Sequence, residues 1–397
     1  MDNISRFIRY AKINTQSDDN SETIPSTSCQ LDLSRLLVDE LKEIGLKDAY
    51  LDEFGIVYAH LPGEGEKIGL NAHVDTALEV SDINVLPRII TSFDGEDIKL
   101  NDTYTLSITQ FPGLAKHIGN DLVVTDGNTL LGADDKAGIA IIMSVLDYLY
   151  HHPEIKHHPI SVSFTPDEEI GRGPLHFDLK KMDADYAYTL DGSEPSNIDY
   201  RNFNAKEATL TIKGVSVHPG EGKDKLINAL VLHNEFMNLL PKNDNPFHSD
   251  INEGFWHITS LEGNSEIVSS SFILRDFDKD KLNKRVEAFT NAKTLLAKAY
   301  PNCEFILEIK DQYENMEEYV KKDPRPIKKA EEAIRKNGLE PKTSWIRGGT
   351  DGATITKMGL VTPNLGTGSY NHHGRFEYLD IQEFEQLINI VLDIVRI

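Results

Sequence analysis

Cysteine is nearly absent from this 397-residue chain. Its two copies, Cys29 and Cys303, lie far apart and outside any C-x-x-C, which excludes a disulfide framework and a thiolate zinc site. Positive charge is also scarce, with 41 lysines and arginines against 64 acids and a formal net charge of −23. Nucleic acid and anionic membranes are polyanions that repel such a chain, so neither is expected as a partner. No apolar run approaches the roughly 18 residues of a membrane span. The opening Met1-Asp-Asn-Ile-Ser-Arg6 lacks the basic and apolar regions of a signal peptide, and the expectation is a cytoplasmic protein. There is no G-x-x-x-x-G-K-[ST], and Gly171-Arg-Gly173 lacks the G-x-G-x-x-G spacing, so nucleotide chemistry has little support.

What remains is a globular composition, 39% hydrophobic and 26% charged, in a length that suggests two or three units at about 150 residues each. Leu31, Leu36, Leu37, Leu41 and Ile44 form a helical stripe that stops at Gly45, a favourable C′ residue. Strands are predicted over residues 68–72, 122–125, 160–164 and 185–190, with a long helix over 139–149. This alternation predicts an α/β unit with a mixed, largely parallel sheet and helices on both faces. The rhythm then changes to strand 208–213, helix 226–240, strands 255–261 and 266–275, helix 279–300 and strand 304–310. That βαββαβ order is the signature of a ferredoxin-like unit. The expected division is therefore one domain of residues 1–204 and 313–397, interrupted by an inserted domain of residues 205–312. Helices over 327–336 and 381–395 close the chain, and the polar stretch 92–105 is expected to be the most mobile loop.

Histidines and carboxylates follow the predicted strands. His73-Val-Asp75 comes after 68–72, Asp167-Glu-Glu169 after 160–164, and Asp191 after 185–190. In open α/β sheets, sites form at the carboxyl ends of strands. Asp134-Asp135 precedes the long helix and His372-His373 the last one. Singly, each has an ordinary explanation: an acidic pair suits the dipole at a helix start, Glu168-Glu169 suits a solvated face, and His372-His373 suits a surface turn. Jointly they bring His, Glu and Asp to one rim.

The chemistry that needs this inventory is a pair of divalent metals held by imidazole and carboxylate, with a bridging carboxylate and open positions for water. Two dications carry +4, while three ligating carboxylates and one hydroxide carry −4, so the centre can be buried. Metals about 3.5 to 4 Å apart lower the pKa of a bridging water and polarise a carbonyl. If Glu169 ligates, Glu168 is left to take the water's proton and pass it to a leaving amine. Asp75 is too close in sequence to His73 to ligate the same metal with ease, and suits acceptance of the imidazole's other N–H. Arg275 and Arg347 are candidate clamps for a substrate carboxylate, because a guanidinium offers two parallel N–H groups.

Six stretches, Asn71-Ala-His-Val-Asp-Thr76, residues 125–138 around Gly132-Ala-Asp-Asp-Lys136, residues 164–173 around Asp167-Glu-Glu169, Val217-His-Pro-Gly220, Arg347-Gly-Gly-Thr-Asp-Gly352 and Asn371-His-His-Gly374, span nearly the whole chain. In this order they resemble the dinuclear zinc exopeptidases of the aminoacylase and carboxypeptidase G type. The resemblance implies two Zn2+ ions per chain, one held by His73, Asp134 and Asp191, the other by Glu169, His373 and the shared Asp134. It makes Glu168 the general base and Asp75 the orienting carboxylate, and joins Asp134 to a non-ligating Asp135 through a cis peptide. His373 matches the ligand, whereas His372 falls where relatives usually carry an aromatic residue, so both rings stay candidates. His218 would stabilise the oxyanion as the domains close, and the inserted domain would serve as a lid or a dimerisation surface, through which a homodimer could form.

The activity implied is an aminopeptidase that removes the N-terminal residue from short peptides, preferably tripeptides, by a zinc-bridging hydroxide. A dipeptidase or an N-acyl amino acid deacylase on the same fold is the alternative. A metal-loaded peptide-binding protein without turnover is a third reading, and Glu168 argues against it. Imidazoles favour zinc over magnesium, but cobalt or manganese would suit the same atoms.

Overall fold

Residues 68–73 read Ile-Gly-Leu-Asn-Ala-His and are buried along their whole length, as expected of a strand covered on both faces. In the computed structural model, which describes all 397 residues, this strand is the middle of a seven-stranded sheet. Parallel pairing is confined to four strands in the order Ile160–Thr165, Ile68–His73, Tyr186–Gly192 and Asn364–Gly366. The outer strands Tyr50–Leu51, Val57–Leu61 and Ile198–Asp199 pair antiparallel. The sheet is therefore mixed and parallel only at its centre. Tyr50–Leu51 and Val57–Leu61 are too close in sequence for a crossover, which leaves them a hairpin.

Alternate residues of the strands enter different cores. Val57, Ala59 and Leu70 join a large cluster with the helices Asn3–Ala11, Gln30–Ile44, Ala133–His151, Arg325–Lys336 and Ile381–Val395. Ile56, Tyr58 and Ala187 join a smaller one with the helices Leu179–Met182 and Asp351–Met358. Both faces thus carry helices. Helix Ala133–His151 approaches the sheet so closely that a Cβ on Gly138 would lie 2.0 Å from the Leu190 carbonyl oxygen. Only glycine fits there, and the approach brings the start of the helix to the carboxyl ends of the parallel strands.

Two expectations change. Leu122–Val124 lies outside the central sheet, pairing with Arg88–Ile90 and Tyr378–Asp380 in a four-stranded antiparallel sheet. The stretch 92–105 is not an open loop. Ile98–Lys99 pairs with Thr105–Leu106, and Phe93, Ile98, Leu100 and Leu106 are buried in a satellite core with Leu122, Val124 and Tyr378. These apolar residues are spaced irregularly among polar ones, so no periodicity announces the core.

The chain divides into two units: Met1–Tyr200, Met316–Ser344 and Thr350–Ile397 form the first, Arg201–Asn315 and Trp345–Gly349 the second. Residues 345–349 join the second because Trp345–Ile346 pairs in parallel with Arg201–Asn202. The second unit's sheet is antiparallel throughout, in the order Phe255–Gly263, Ile267–Asp276, Asn204–Lys213, Glu304–Asp311. Its first strand begins at Asn204, ahead of the expected 208, because Asn204 and Ala205 still pair with Asp276 and Arg275. Helices Ala229–Leu239 and Lys279–Ala299 cover the sheet through Phe236, Trp256, Phe272 and Phe289, the last two packed edge to face at 5.1 Å. No helix is long and apolar enough to cross a membrane.

Leu70 is fully buried in the central strand, so Leu70→Ala is expected to cost about 2–5 kcal/mol through lost burial and a residual cavity. Urea unfolding of the two proteins measures this, and a loss below about 1 kcal/mol would contradict the packing described.

Candidate metal centre

The parallel centre of the sheet delivers its side chains at one end. His73 closes its strand in register with Thr165. The chain after Thr165 coils into a single 3-10 turn, Glu168–Ile170, that carries Glu168 and Glu169. Asp191 lies near the end of Tyr186–Gly192. Asp134 stands at the start of helix Ala133–His151, where it and Asp135 depart from helical φ/ψ. His373 lies in the turn after Ser369–Tyr370, with a φ of 59°.

These five side chains meet. The His73 Nε2 lies 3.1 Å from Asp134 Oδ1 and 3.5 Å from Asp191 Oδ1. The His373 Nε2 lies 3.3 Å from Asp134 Oδ2 and 3.1 Å from Glu169 Oε2. Two groups result, His73 with Asp134 and Asp191, and Asp134 with Glu169 and His373, each with its donor atoms within 4.8 Å of one another. Asp134 turns a different oxygen to each group. His372 also approaches Asp134, at 3.4 Å through Nδ1, while its Nε2 is hydrogen-bonded to the Ser369 hydroxyl at 2.8 Å. Only His373 faces both acids of the second group.

Asp75 is fully buried beneath them. The Nδ1 of His73 lies 3.1 Å from the Asp75 backbone oxygen and 3.3 Å from Oδ1, which leaves Nε2 free to face Asp134 and Asp191. The same carboxylate accepts the backbone N–H groups of Glu168 at 2.9 Å and Glu169 at 3.1 Å, and the Ser17 hydroxyl at 2.9 Å. One buried acid thus orients the imidazole and fixes the turn bearing both glutamates. Asp135 points elsewhere, accepting the His73 backbone N–H at 3.0 Å, and its peptide bond with Asp134 is cis.

Like charges crowd this rim. Burial, followed by the charge of Asp134, pushes Asp191 up to about 6 and Glu169 up to about 7. Burial and then Asp191 raise Glu168 and Asp135 well above the usual carboxylate range. Burial also opposes ionisation of Asp134, yet His372, His373 and His73 together hold it well below that range. His373 is raised to about 11 by its bonds to Asp134 and Glu169. The Glu169 Oε1 is buried with no hydrogen-bond partner. Imidazole nitrogens, carboxylate oxygens and one orphaned oxygen fit divalent cations of the zinc type.

Three sequence candidates lie on the second unit. His218 is exposed, its Nδ1 accepting the Gly220 N–H at 3.2 Å. Arg275 is buried, donating through Nη1 to the backbone oxygens of Lys206 and Leu274, with its guanidinium 5.4 Å from the Tyr313 ring centroid. Arg347 donates to the backbone oxygens of Asp250 and Glu253 and to the Ser249 hydroxyl, and lies over the rings of Phe203 and Phe255. Both guanidiniums therefore already serve their own unit.

The sequence reading assigns no role to two buried acids near the first unit's rim, although Asp351 lies within the stretch Arg347-Gly-Gly-Thr-Asp-Gly352. Asp351 bonds the Thr165 hydroxyl, and Glu377 accepts three backbone N–H groups around Asp134. No neighbouring motif marks Glu377 as a carboxylate bonded to backbone.

Cations compete with protons here. Carboxyls raised to about 6 at Asp191 and about 7 at Glu169 are increasingly protonated as pH falls through that window, so dication affinity should fall with them. Adding a dication near pH 6.5 should release protons, read by titration calorimetry in buffers of differing ionisation enthalpy. A binding heat independent of buffer would contradict the assignment.

A model described as Peptidase family M20/M25/M40 matches residues 124–397. The Peptidase T of Geobacillus kaustophilus is 48% identical over 400 residues, covering 99% of this chain and 97% of that protein. The Peptidase T of Bacillus subtilis is 47% identical over 399 residues, with the same coverage. The crystal structure of aminopeptidase PepT from Bacillus cereus shares the fold with a TM-score of 0.77 at 20% identity, covering 99% of this chain and 97% of that one. With a match over more than half of its residues and relatives of nearly half identity along its full length, this chain belongs to the M20/M25/M40 peptidase family.

Proposed function

We propose that the protein is a metal-dependent aminopeptidase that removes the N-terminal residue from short peptides, with tripeptides preferred. The observation that carries this reading is near-full-length identity of 48% and 47% to two proteins named Peptidase T. The arrangement around Asp134 supports the chemistry. His73, Asp134 and Asp191 would hold one cation, and Asp134, Glu169 and His373 the other, with the imidazole donors favouring zinc. When bound, such a pair polarises a carbonyl and lowers the pKa of water.

The chain's own residues move the proton. Glu168 is held above the usual carboxylate range by burial and by Asp191, which suits a base that takes a proton from water and returns it to the leaving amine. Its backbone N–H is fixed on Asp75, so the base and the neighbouring Glu169 keep a constant spacing. The resemblance alone assigns His218 as the oxyanion donor. Arg275 and Arg347 have weaker support as clamps, since their N–H groups bond backbone carbonyls within their own unit. We take the second unit as a ferredoxin-like insertion, in keeping with its βαββαβ order. Dipeptidase and deacylase activity, or binding without turnover, are readings that the relatives do not favour.

Hydrolysis of di-, tri- and tetra-alanine and N-acetylalanine by the dication-loaded protein tests the proposal. Trialanine should give the highest kcat/KM, and faster turnover of N-acetylalanine would overturn the aminopeptidase reading. Glu168→Gln should lower kcat by about 10²–10⁴-fold with both ions retained. A near-normal rate would remove Glu168 from its role.

A further inference from the structure

Helix Ala133–His151 begins without a cap of its own. The residue before it is Gly132, with a φ of 74° and no side-chain hydrogen bond to the first turn. Asp134 and Asp135 are not helical, so the ladder does not fix the residue whose two oxygens face the two groups. The first N–H groups of any helix need partners from outside it.

Glu377 supplies a partner for one of them, the Asp134 N–H, and for the two N–H groups that lead into the helix. It is only 1% exposed. Its Oε2 accepts the N–H of Leu131 at 2.7 Å and of Gly132 at 2.8 Å, and its Oε1 accepts the N–H of Asp134 at 3.0 Å. A carboxylate at a helix N-terminus also lies at the favourable end of the dipole. Glu377 follows His373 by four positions in the same connection, and Arg375 ties that connection to the Gly127 carbonyl at 3.1 Å. One buried acid therefore links the segment that carries Asp134 to the segment that carries His373.

We infer that Glu377 is the positioning residue that holds Asp134 between its two groups of partners. This rests on the metal-dependent reading above. An ionised carboxylate only accepts hydrogen bonds, which matches three donors, whereas the amide of glutamine must turn an N–H toward one of them. The misfit falls on the backbone beneath Asp134, so its carboxylate shifts relative to His73 and His373.

The test is Glu377→Gln in the full chain, with Glu40→Gln as the comparison. Glu40 is also a buried acid of the first unit, bonded to Arg6, Arg9 and Tyr10. Zinc affinities are read against a competing chelator, and site geometry from the visible spectrum of the cobalt-substituted proteins. Glu377→Gln should weaken zinc binding by about 10–100-fold, alter the cobalt spectrum, and lower kcat at saturating zinc more than it raises KM. Glu40→Gln should leave zinc affinity and spectrum unchanged. Wild-type affinity and spectrum in Glu377→Gln would overturn the inference, as would equal losses in both variants, which would mark a general effect of stability. If the wild-type protein bound no dication at all, the metal reading itself would fail first. Should Glu377→Gln not fold, hydrogen exchange of the wild type decides: slow exchange at Leu131, Gly132 and Asp134 supports the bonds, and exchange at unprotected rates overturns them.

Discussion

Carboxylates taken out of water repel one another, and this chain crowds them at one end of a sheet, with Asp134, Asp135, Asp191, Glu168 and Glu169 at the centre of the group and Asp75, Asp351 and Glu377 buried around it. Of the central five, Asp135, Asp191, Glu168 and Glu169 are raised above their ordinary range by burial and by neighbouring acids, and Asp134 is held down by three imidazoles. Such a cluster is costly unless positive charge answers it. Imidazolium answers part of it here, and a pair of dications answers it more fully, because each can be bonded by several of these oxygens at once. The donor positions around Asp134 follow from that need.

The fold meets the need through its parallel centre. Three neighbouring parallel strands end at the same side, so His73, the Glu168–Ile170 turn and Asp191 arrive together. Gly138 lets the long helix press against Tyr186–Gly192 and bring Asp134 to the same place. Asp75 then couples the pieces, since one carboxylate faces the imidazole of His73 and bonds the backbone of both glutamates. Backbone hydrogen bonds to buried acids are the recurring device, with Asp75 on one side of the cluster and Glu377 on the other.

Much of this was legible in the sequence for a physical reason. The strands at the centre are covered on both faces and carry no charged residue before their ends, so the histidine and acids there stand out against them. The helices announce themselves by period, and the predicted span 381–395 matches Ile381–Val395. The satellite core around Phe93 and Leu106 was not legible, because its apolar residues come from short strands with no sustained alternation. Arg275 and Arg347 show a different limit. A guanidinium suits a substrate carboxylate and a backbone carbonyl equally well in sequence, and only the packing shows that these two already bond carbonyls. Glu377 was hidden because its partners are backbone amides, which any sequence possesses.

The account depends on Asp134 sharing its two oxygens between two cations. Anomalous diffraction at the zinc edge from crystals grown with zinc tests this directly. It should give two peaks about 3.5–4 Å apart, one within bonding reach of His73, Asp134 and Asp191 and the other of Asp134, Glu169 and His373. A single peak, or a pair of peaks lying away from Asp134, would contradict it.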